Sequence, residues 1–245
     1  YAEHRLAWQS QGHSIQPLRL DDIEAKLDQL DVLVVINPNN PTGEKIALET
    51  LINWHQRLAS RSGWLIVDEA FIDLSTQDSL CSQLDRLATC QGLVILRSFG
   101  KFFGLAGIRG GFMMGDAQLI AAARQQLGPW ALNHPAMWIL ERALADRSWQ
   151  QNARLQLLKD SSRLAESLAQ INFEGVTDIH SSGLFVTVTF ESSAYAESVY
   201  QGLCKQAILV RLFRRHGLLR FGLPASKGQW KRLSSALASF GAGRQ

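Results

Sequence analysis

RSFGKFFGLAGIRGG, residues 97–111, follows directly on the apolar run LVIL at 93–96. An all-aliphatic run that stops at such a stretch reads as a buried strand ending in a glycine-rich turn. The turn carries one lysine and two arginines, Arg97, Lys101 and Arg109. Glycine lets a backbone come close to a bound group, and an arginine fork grips a phosphate through two parallel hydrogen bonds. A lysine in a pocket with nearby cations loses its proton more readily and becomes a nucleophile able to form a Schiff base with an aldehyde.

Outward from this turn the same pattern repeats. VLVVI (32–36) and WLIVDEA (64–70) have the strand signature of LVILRSF (93–99), and GFMMG (111–115) reads as one more strand. Between them, RLDDIEAKLDQLD (19–31) has a helical period, and a second amphipathic helix runs from the turn NPNNPTG (37–43) to about Ser60. Continuous apolar strands alternating with helices imply a parallel sheet covered on both faces. In such sheets ligands bind at the carboxyl ends of the strands. Polar residues collect at those ends: Asn37 to Asn40, Asp68 with Glu69, and Ser98 to Lys101.

Beyond the sheet, 116–127 reads as a surface helix and about 131–170 as long helices. GLFVTVTF (183–190) alternates as a half-buried strand does, and AILVRLF (207–213) and LLRFGL (218–223) are two more. The expected fold is α/β: a mostly parallel, helix-flanked sheet in a large domain over 1–135, connecting helices over 136–170, and a smaller α+β domain over 171–245.

Composition narrows the function. The 245 residues are 46% hydrophobic and 19% charged, the profile of a globular protein, and no apolar stretch approaches the ~20 residues that span a bilayer. The net charge of +3 is scattered apart from FRRH (213–216), which argues against nucleic-acid binding. Cys81, Cys90 and Cys204 lack metal-ligand or disulfide spacing and read as reduced cytoplasmic thiols, so no metal is expected. The chain opens on Tyr1, and the expectation is that it begins inside a longer polypeptide. Taken together, a Schiff-base lysine, a phosphate cup at Ser98 and Arg109, and the carboxylate of Asp68 at a strand end are what pyridoxal 5'-phosphate requires.

NPNNPTG, then VDEAF (67–71), then SFGKFFGLAGIRGG (98–111), in that order, resemble the fold-type-I pyridoxal-phosphate enzymes of the aminotransferase superfamily. The resemblance is greatest to the branch that holds histidinol-phosphate aminotransferases and threonine-phosphate decarboxylases. It implies Lys101 as the Schiff-base lysine and proton shuttle, Asp68 as the partner of the pyridine nitrogen, and Asn40 as the hydrogen-bond donor to the ring 3-oxygen at the edge of the substrate site. It implies Ser98 and Arg109 as phosphate ligands, Arg220 in LLRFGLP as the substrate-carboxylate arginine, and Tyr1 as an aromatic stacked on the cofactor. A homodimer with active sites at the subunit interface, acting on a phosphorylated amino acid, is implied as well.

Two departures stand out. The glycine-rich loop that the family carries near its N-terminus has no counterpart here, and Phe71 stands where many aminotransferases have tyrosine. DEAFIDL, with AILVRLFRRHGLLRFGLP, resembles the decarboxylase branch and directs the expectation to O-phospho-L-threonine decarboxylation, giving an aminopropanol phosphate precursor of the cobalamin side chain. Transamination of histidinol phosphate or a related amino acid is the alternative. SFGK also fits S-x-x-K, but its S-D-N and K-T-G companions are missing. GLAGIRGG lies too late in the sheet for a dinucleotide loop and lacks the acidic residue some twenty positions on. Arg211 reads equally as structural or functional. His180, Arg214, Arg215 and His216 read as solvated or helix-end groups, and His4 carries no assignment.

Overall fold

The computed structural model describes residues 2–87 and 90–241. The chain forms two compact units: residues 45–145 with the chain up to Asn40, and the chain from Asp146 onward with the short segment Pro41–Glu44. The stretch read as connecting helices is thus shared between them, since α5 (His134–Ala145) lies in the first unit and α6 (Arg147–Ala169) in the second.

In the first unit, β1 (Val32–Ile36), β2 (Trp64–Asp68), β3 (Leu93–Ser98) and β4 (Gly111–Gly115) form one sheet in that order. β1, β2 and β3 are parallel, and β4 runs antiparallel to β3, with Ser98 opposite Gly111. The aliphatic runs form strands because alternate residues find a core: Leu33, Val35, Leu65, Val67, Leu93 and Ile95 are all buried. They pack with α3 (Leu48–Ala59), whose Leu51, Trp54 and Leu58 return at helical spacing to one buried face. Burial of such side chains contributes about 1.5–3 kcal/mol each. α1 (Ala2–Ser10) precedes the sheet, and α4 (Ala117–Leu127) opens on Asp116, whose side chain accepts from the N–H groups of Gln118 and Leu119.

The segment 19–31, helical in period, is instead broken. A 3₁₀ turn at 20–22, the four-residue α2 (Ile23–Lys26) and a second 3₁₀ turn at 27–29 follow one another. Arg61 donates to the carbonyls of Leu27 and Leu30, so acceptors that a continuing helix would use are taken by a side chain.

The second unit packs α6, α7 (Ser193–Lys205) and α8 (Lys227–Gly241) on an antiparallel sheet. Its strands are β5 (Val176–Ser181), β6 (Phe185–Phe190), β7 (Arg211–Phe213) and β8 (Leu218–Gly222), in the order β5-β6-β8-β7. One face is the core, with Val186, Val188, Phe190, Leu219 and Phe221 against Leu164, Leu203 and Trp230. β5 has too polar a sequence, VTDIHS, to announce itself. AILVRLF becomes a strand only from Arg211, because Ala207 is left-handed and its N–H, with that of Ile208, closes the end of α7 on the carbonyls of Cys204 and Leu203. Among the described residues no helix is long and apolar enough to cross a membrane.

Candidate active site

The first unit presents three neighbouring strand ends. At β1, the Asn37 N–H donates to the carbonyl of Asp68 at 2.9 Å, which ties β1 to β2. The buried Asn37 side chain accepts from Ile46 N at 2.8 Å and donates to Ile46 O at 3.2 Å. This two-way pair pins the stem of the 37–46 loop, on which Asn40 lies.

At β2, Asp68 is held by two donors: the backbone N–H of Ala70 reaches Oδ1 at 3.0 Å, and His4 Nε2 reaches Oδ2 at 2.8 Å. His4 lies on α1, 64 positions earlier in the chain. No sequence signal marks it, since α1 is a polar helix with no buried residue and His4 belongs to no motif. Its role comes only from where α1 packs.

At β3, Ser98 Oγ accepts from Gly100 N at 3.1 Å and so shapes the turn into Lys101. Lys101 is exposed, and its Nζ stands 5.5 Å from the ring centroid of buried Phe71, the third residue after Asp68. Amine, aromatic ring and the carboxylate end of β2 thus gather at one sheet edge. Arg109 ends the 3₁₀ turn 106–108 in the left-handed region, at φ 57° and ψ 36°. Non-glycine residues hold that conformation at a cost of about 1 kcal/mol or more, and such outliers cluster at functional sites. Arg109 is exposed, and its Nη1 donates to the carbonyl of Ala106 at 3.4 Å. The pairing of Ser98 with Gly111 sets Arg109 two residues along the chain from the strand partner of Ser98. Gly111 is required by backbone proximity: a Cβ there would lie 2.7 Å from the carbonyl oxygen of Arg97.

Side chains alternate along the strands, so the neighbours of Asp68 and Ser98 turn to the other side. There Glu69, fully buried, accepts from Ser79 Oγ at 2.5 Å and from Leu80 N at 2.8 Å. Arg97 reaches Asp73 at 2.5 Å and Glu69 at 3.7 Å. Burial pushes the Glu69 carboxyl above its usual range, against the pull of Ser79, Leu80 and Arg97. Burial alone would lower the Arg97 pKa, but the charges of Asp73 and Glu69 more than reverse it. This knot ties the end of β2 to the end of β3 behind the site.

In the second unit, strand register sets four residues in a row on the face opposite the core. His180 on β5 pairs with Thr187 on β6, Thr187 with Arg220 on β8, and Arg220 with Arg211 on β7. Arg220 lies 5.1 Å from the Phe185 ring centroid. Burial lowers its pKa, and the Arg211 charge lowers it further. His180 is not a solvated group, as its sequence context suggested: Nε2 bonds the carbonyl of Gly43 at 3.1 Å. Arg214 pairs with Glu197 at 2.6 Å on the surface, and Arg215 and His216 are exposed. Tyr1 lies outside the described residues.

The donor set fits pyridoxal phosphate: an amine for the aldehyde, a carboxylate backed by His4 for the ring nitrogen, and a hydroxyl and an exposed guanidinium for the phosphate. Comparison with known proteins agrees. Residues 5–237 match the family of class I and II aminotransferases, and the chain belongs to that pyridoxal-phosphate-dependent family. It is 43% identical over 240 residues to the threonine-phosphate decarboxylase of Pseudomonas aeruginosa, covering 98% of this chain and 70% of that protein. It is 34% identical over 240 residues to the threonine-phosphate decarboxylase of a Sinorhizobium species, covering 97% of this chain and 68% of that one. The crystal structure of the histidinol-phosphate aminotransferase from Clostridium acetobutylicum superposes with a TM-score of 0.86 at 24% identity, over 99% of this chain and 76% of that one, a likeness of fold alone.

Proposed function

We propose that the protein decarboxylates O-phospho-L-threonine to (R)-1-aminopropan-2-yl phosphate, a precursor of the cobalamin side chain. The observation that carries this reading is the opposed pair Arg211 and Arg220 on one sheet face, in a chain similar to two threonine-phosphate decarboxylases. Like charges directly opposite one another destabilise a strand pair. A substrate with two anionic groups, a carboxylate and a phosphate, reverses the sign of that interaction, because each fork binds an oxyanion through charge-assisted hydrogen bonds.

Bound pyridoxal phosphate supplies an electron sink for the bond broken at Cα. Asp68, oriented by His4 and Ala70 N, holds the proton on the ring nitrogen that keeps this sink effective. Ser98 and Arg109 bind the cofactor phosphate, and Asn40 binds the ring 3-oxygen. Phe71 has no hydroxyl to offer that oxygen, and its ring instead faces the Lys101 amine. Arg220 orients the carboxylate, the Cα–carboxylate bond breaks to release CO₂, and Lys101 Nζ returns a proton to Cα. The reading carries with it a homodimeric, cytoplasmic enzyme.

Mass spectrometry of the products tests it, with the pyridoxal-phosphate-loaded enzyme and O-phospho-L-threonine, with and without 2-oxoglutarate. Loss of CO₂ without the oxoacid is the expected result. A 2-oxo product that forms only with the acceptor would make the protein an aminotransferase.

A further inference from the structure

Arg109 holds a left-handed backbone although it is not a glycine. Such a conformation persists only where the surrounding structure over-determines it, so the contacts on either side of Arg109 are informative. Upstream, the Ile108 N–H closes the 3₁₀ turn on the carbonyl of Leu105 at 3.2 Å. Downstream, the Gly110 carbonyl accepts at 3.4 Å from the N–H of Phe99, the residue after Ser98, and Gly111 pairs with Ser98. One side of Gly110 is therefore bound to the end of β3. Against its Cα stands Leu140 of α5: a Cβ on Gly110 would fall 2.8 Å from Leu140 Cδ1 and 3.5 Å from Cδ2.

Gly110 does not have a left-handed φ, so backbone freedom does not account for a glycine there; the room taken by Leu140 does. Along α5 the buried residues are Ala136 and Leu140, one turn apart, while the large apolar side chains of Met137, Trp138 and Leu144 are exposed. Asn133 caps the start of the helix, its Oδ1 accepting from Ala136 N at 2.9 Å. The helix thus meets the rest of the first unit along a narrow stripe, and half of that stripe is the leucine that fills the place of a side chain at Gly110.

We propose that Leu140 is a positioning residue for Arg109, a role that rests on the phosphate contact given to Arg109 in the proposed function. Leu140 touches neither cofactor nor substrate in this scheme. Its terminal methyl groups lie on the Gly110 backbone and hold it against the end of β3, so that Arg109 is confined between a closed 3₁₀ turn and a pinned glycine. The backbone that presents the guanidinium is then set before the phosphate arrives, and binding has less to order. Without the leucine the turn samples the ordinary right-handed and extended regions as well. Only the fraction of molecules in the left-handed geometry then presents the guanidinium in place.

The test uses the full chain with Leu140→Ala, Leu140→Met, Arg109→Gln and the double variant Arg109→Gln/Leu140→Ala. Dissociation constants are measured from visible absorbance for pyridoxal phosphate and for pyridoxal, the same ring without the phosphate, with thermal unfolding alongside. Leu140→Ala is expected to bind pyridoxal phosphate about three- to tenfold more weakly, as a competent fraction of about a third to a tenth requires, with pyridoxal affinity changed less than about twofold. Leu140→Met keeps the side-chain volume and restores pyridoxal-phosphate affinity to within about twofold. The double variant binds pyridoxal phosphate no more weakly than Arg109→Gln, as expected of residues acting through one contact. A merely structural leucine would lower Tm and weaken both ligands alike, and that outcome overturns the positioning role. Unchanged pyridoxal-phosphate affinity in Leu140→Ala overturns it too, with the proposed function left standing. If Arg109→Gln leaves the preference for pyridoxal phosphate over pyridoxal unchanged, the phosphate role of Arg109 fails and the role of Leu140 with it. Should Leu140→Ala not fold, Leu140→Val replaces it, since the shorter side chain also withdraws its methyl groups from Gly110, and the same two affinities decide.

Discussion

Replacing Arg97 with methionine tests whether the buried knot behind the strand ends holds the first unit together. The guanidinium bonds Asp73 at 2.5 Å, stands 3.7 Å from Glu69, and reaches Ser79 Oγ at 3.4 Å. The Glu69 side chain is fully buried and that of Asp73 is 8% exposed, so the substitution strands two carboxylates away from water. Removing one partner of a buried ion pair costs about 3–5 kcal/mol. For a protein of this size each kcal/mol moves Tm by about 2–4 °C, so a fall of roughly 6–20 °C is expected. Circular dichroism during heating measures it. The pH dependence sharpens the test. Burial already raises the Glu69 carboxyl above its usual range, and Arg97 is one of the groups holding it back. Without Arg97 the folded-state pKa rises further. The folded state then binds more protons than the unfolded state between the two pKa values, so stability is gained as pH falls. The deficit of Arg97→Met relative to the unchanged protein therefore shrinks from neutral towards mildly acid pH. A second variant, Glu69→Gln in the same background, recovers part of the loss at neutral pH and flattens the pH dependence. A Tm within about 2 °C of the starting value, or a deficit independent of pH, would refute the reasoning.

Three further outcomes follow from the site geometry. His4→Phe removes a donor to Asp68 while keeping a ring; with both side chains partly exposed, the expected loss is about three- to tenfold in pyridoxal-phosphate affinity, read by cofactor titration, and unchanged affinity means that His4 does not support Asp68. Arg211→Gln raises KM for O-phospho-L-threonine at least about tenfold with little effect on binding of unphosphorylated threonine, whereas Arg220→Gln weakens both, and steady-state kinetics with competition by threonine separates the two arginines. Gly111→Ala drives a methyl group to 2.7 Å from the Arg97 carbonyl oxygen, and the backbone shift needed to relieve it costs about 1–3 kcal/mol in denaturant unfolding.

Much of the first unit was legible because its signals are local. VLVVI, WLIVD and LVILRS are aliphatic enough to be strands in any buried setting, and Asn37, Asp68 and Ser98 sit where those runs stop. The turn residues beyond them are marked by their own chemistry, glycine beside cation. The second unit is less legible. VTDIHS forms an edge strand through pairing with β6, which its polar sequence does not advertise, and the left-handed Ala207 takes four residues from the expected β7. RLDDIEAKLDQLD kept its helical period but lost its continuity to Arg61, whose partners Leu27 and Leu30 lie 34 and 31 positions away.

By itself, then, the sequence determined the strand cores, the turn that follows each, and the chemical kinds of residue delivered to the strand ends. These depend on the period of side-chain direction and on backbone freedom within a few residues. Tertiary structure alone decided that His4 backs Asp68, that Glu69, Asp73 and Arg97 lock together behind the site, and that His180, Thr187, Arg220 and Arg211 share one row with a loop tied to its end. Those are matters of register and packing between segments 7 to 146 positions apart. A one-residue slip in any strand would turn the same side chains to the opposite face.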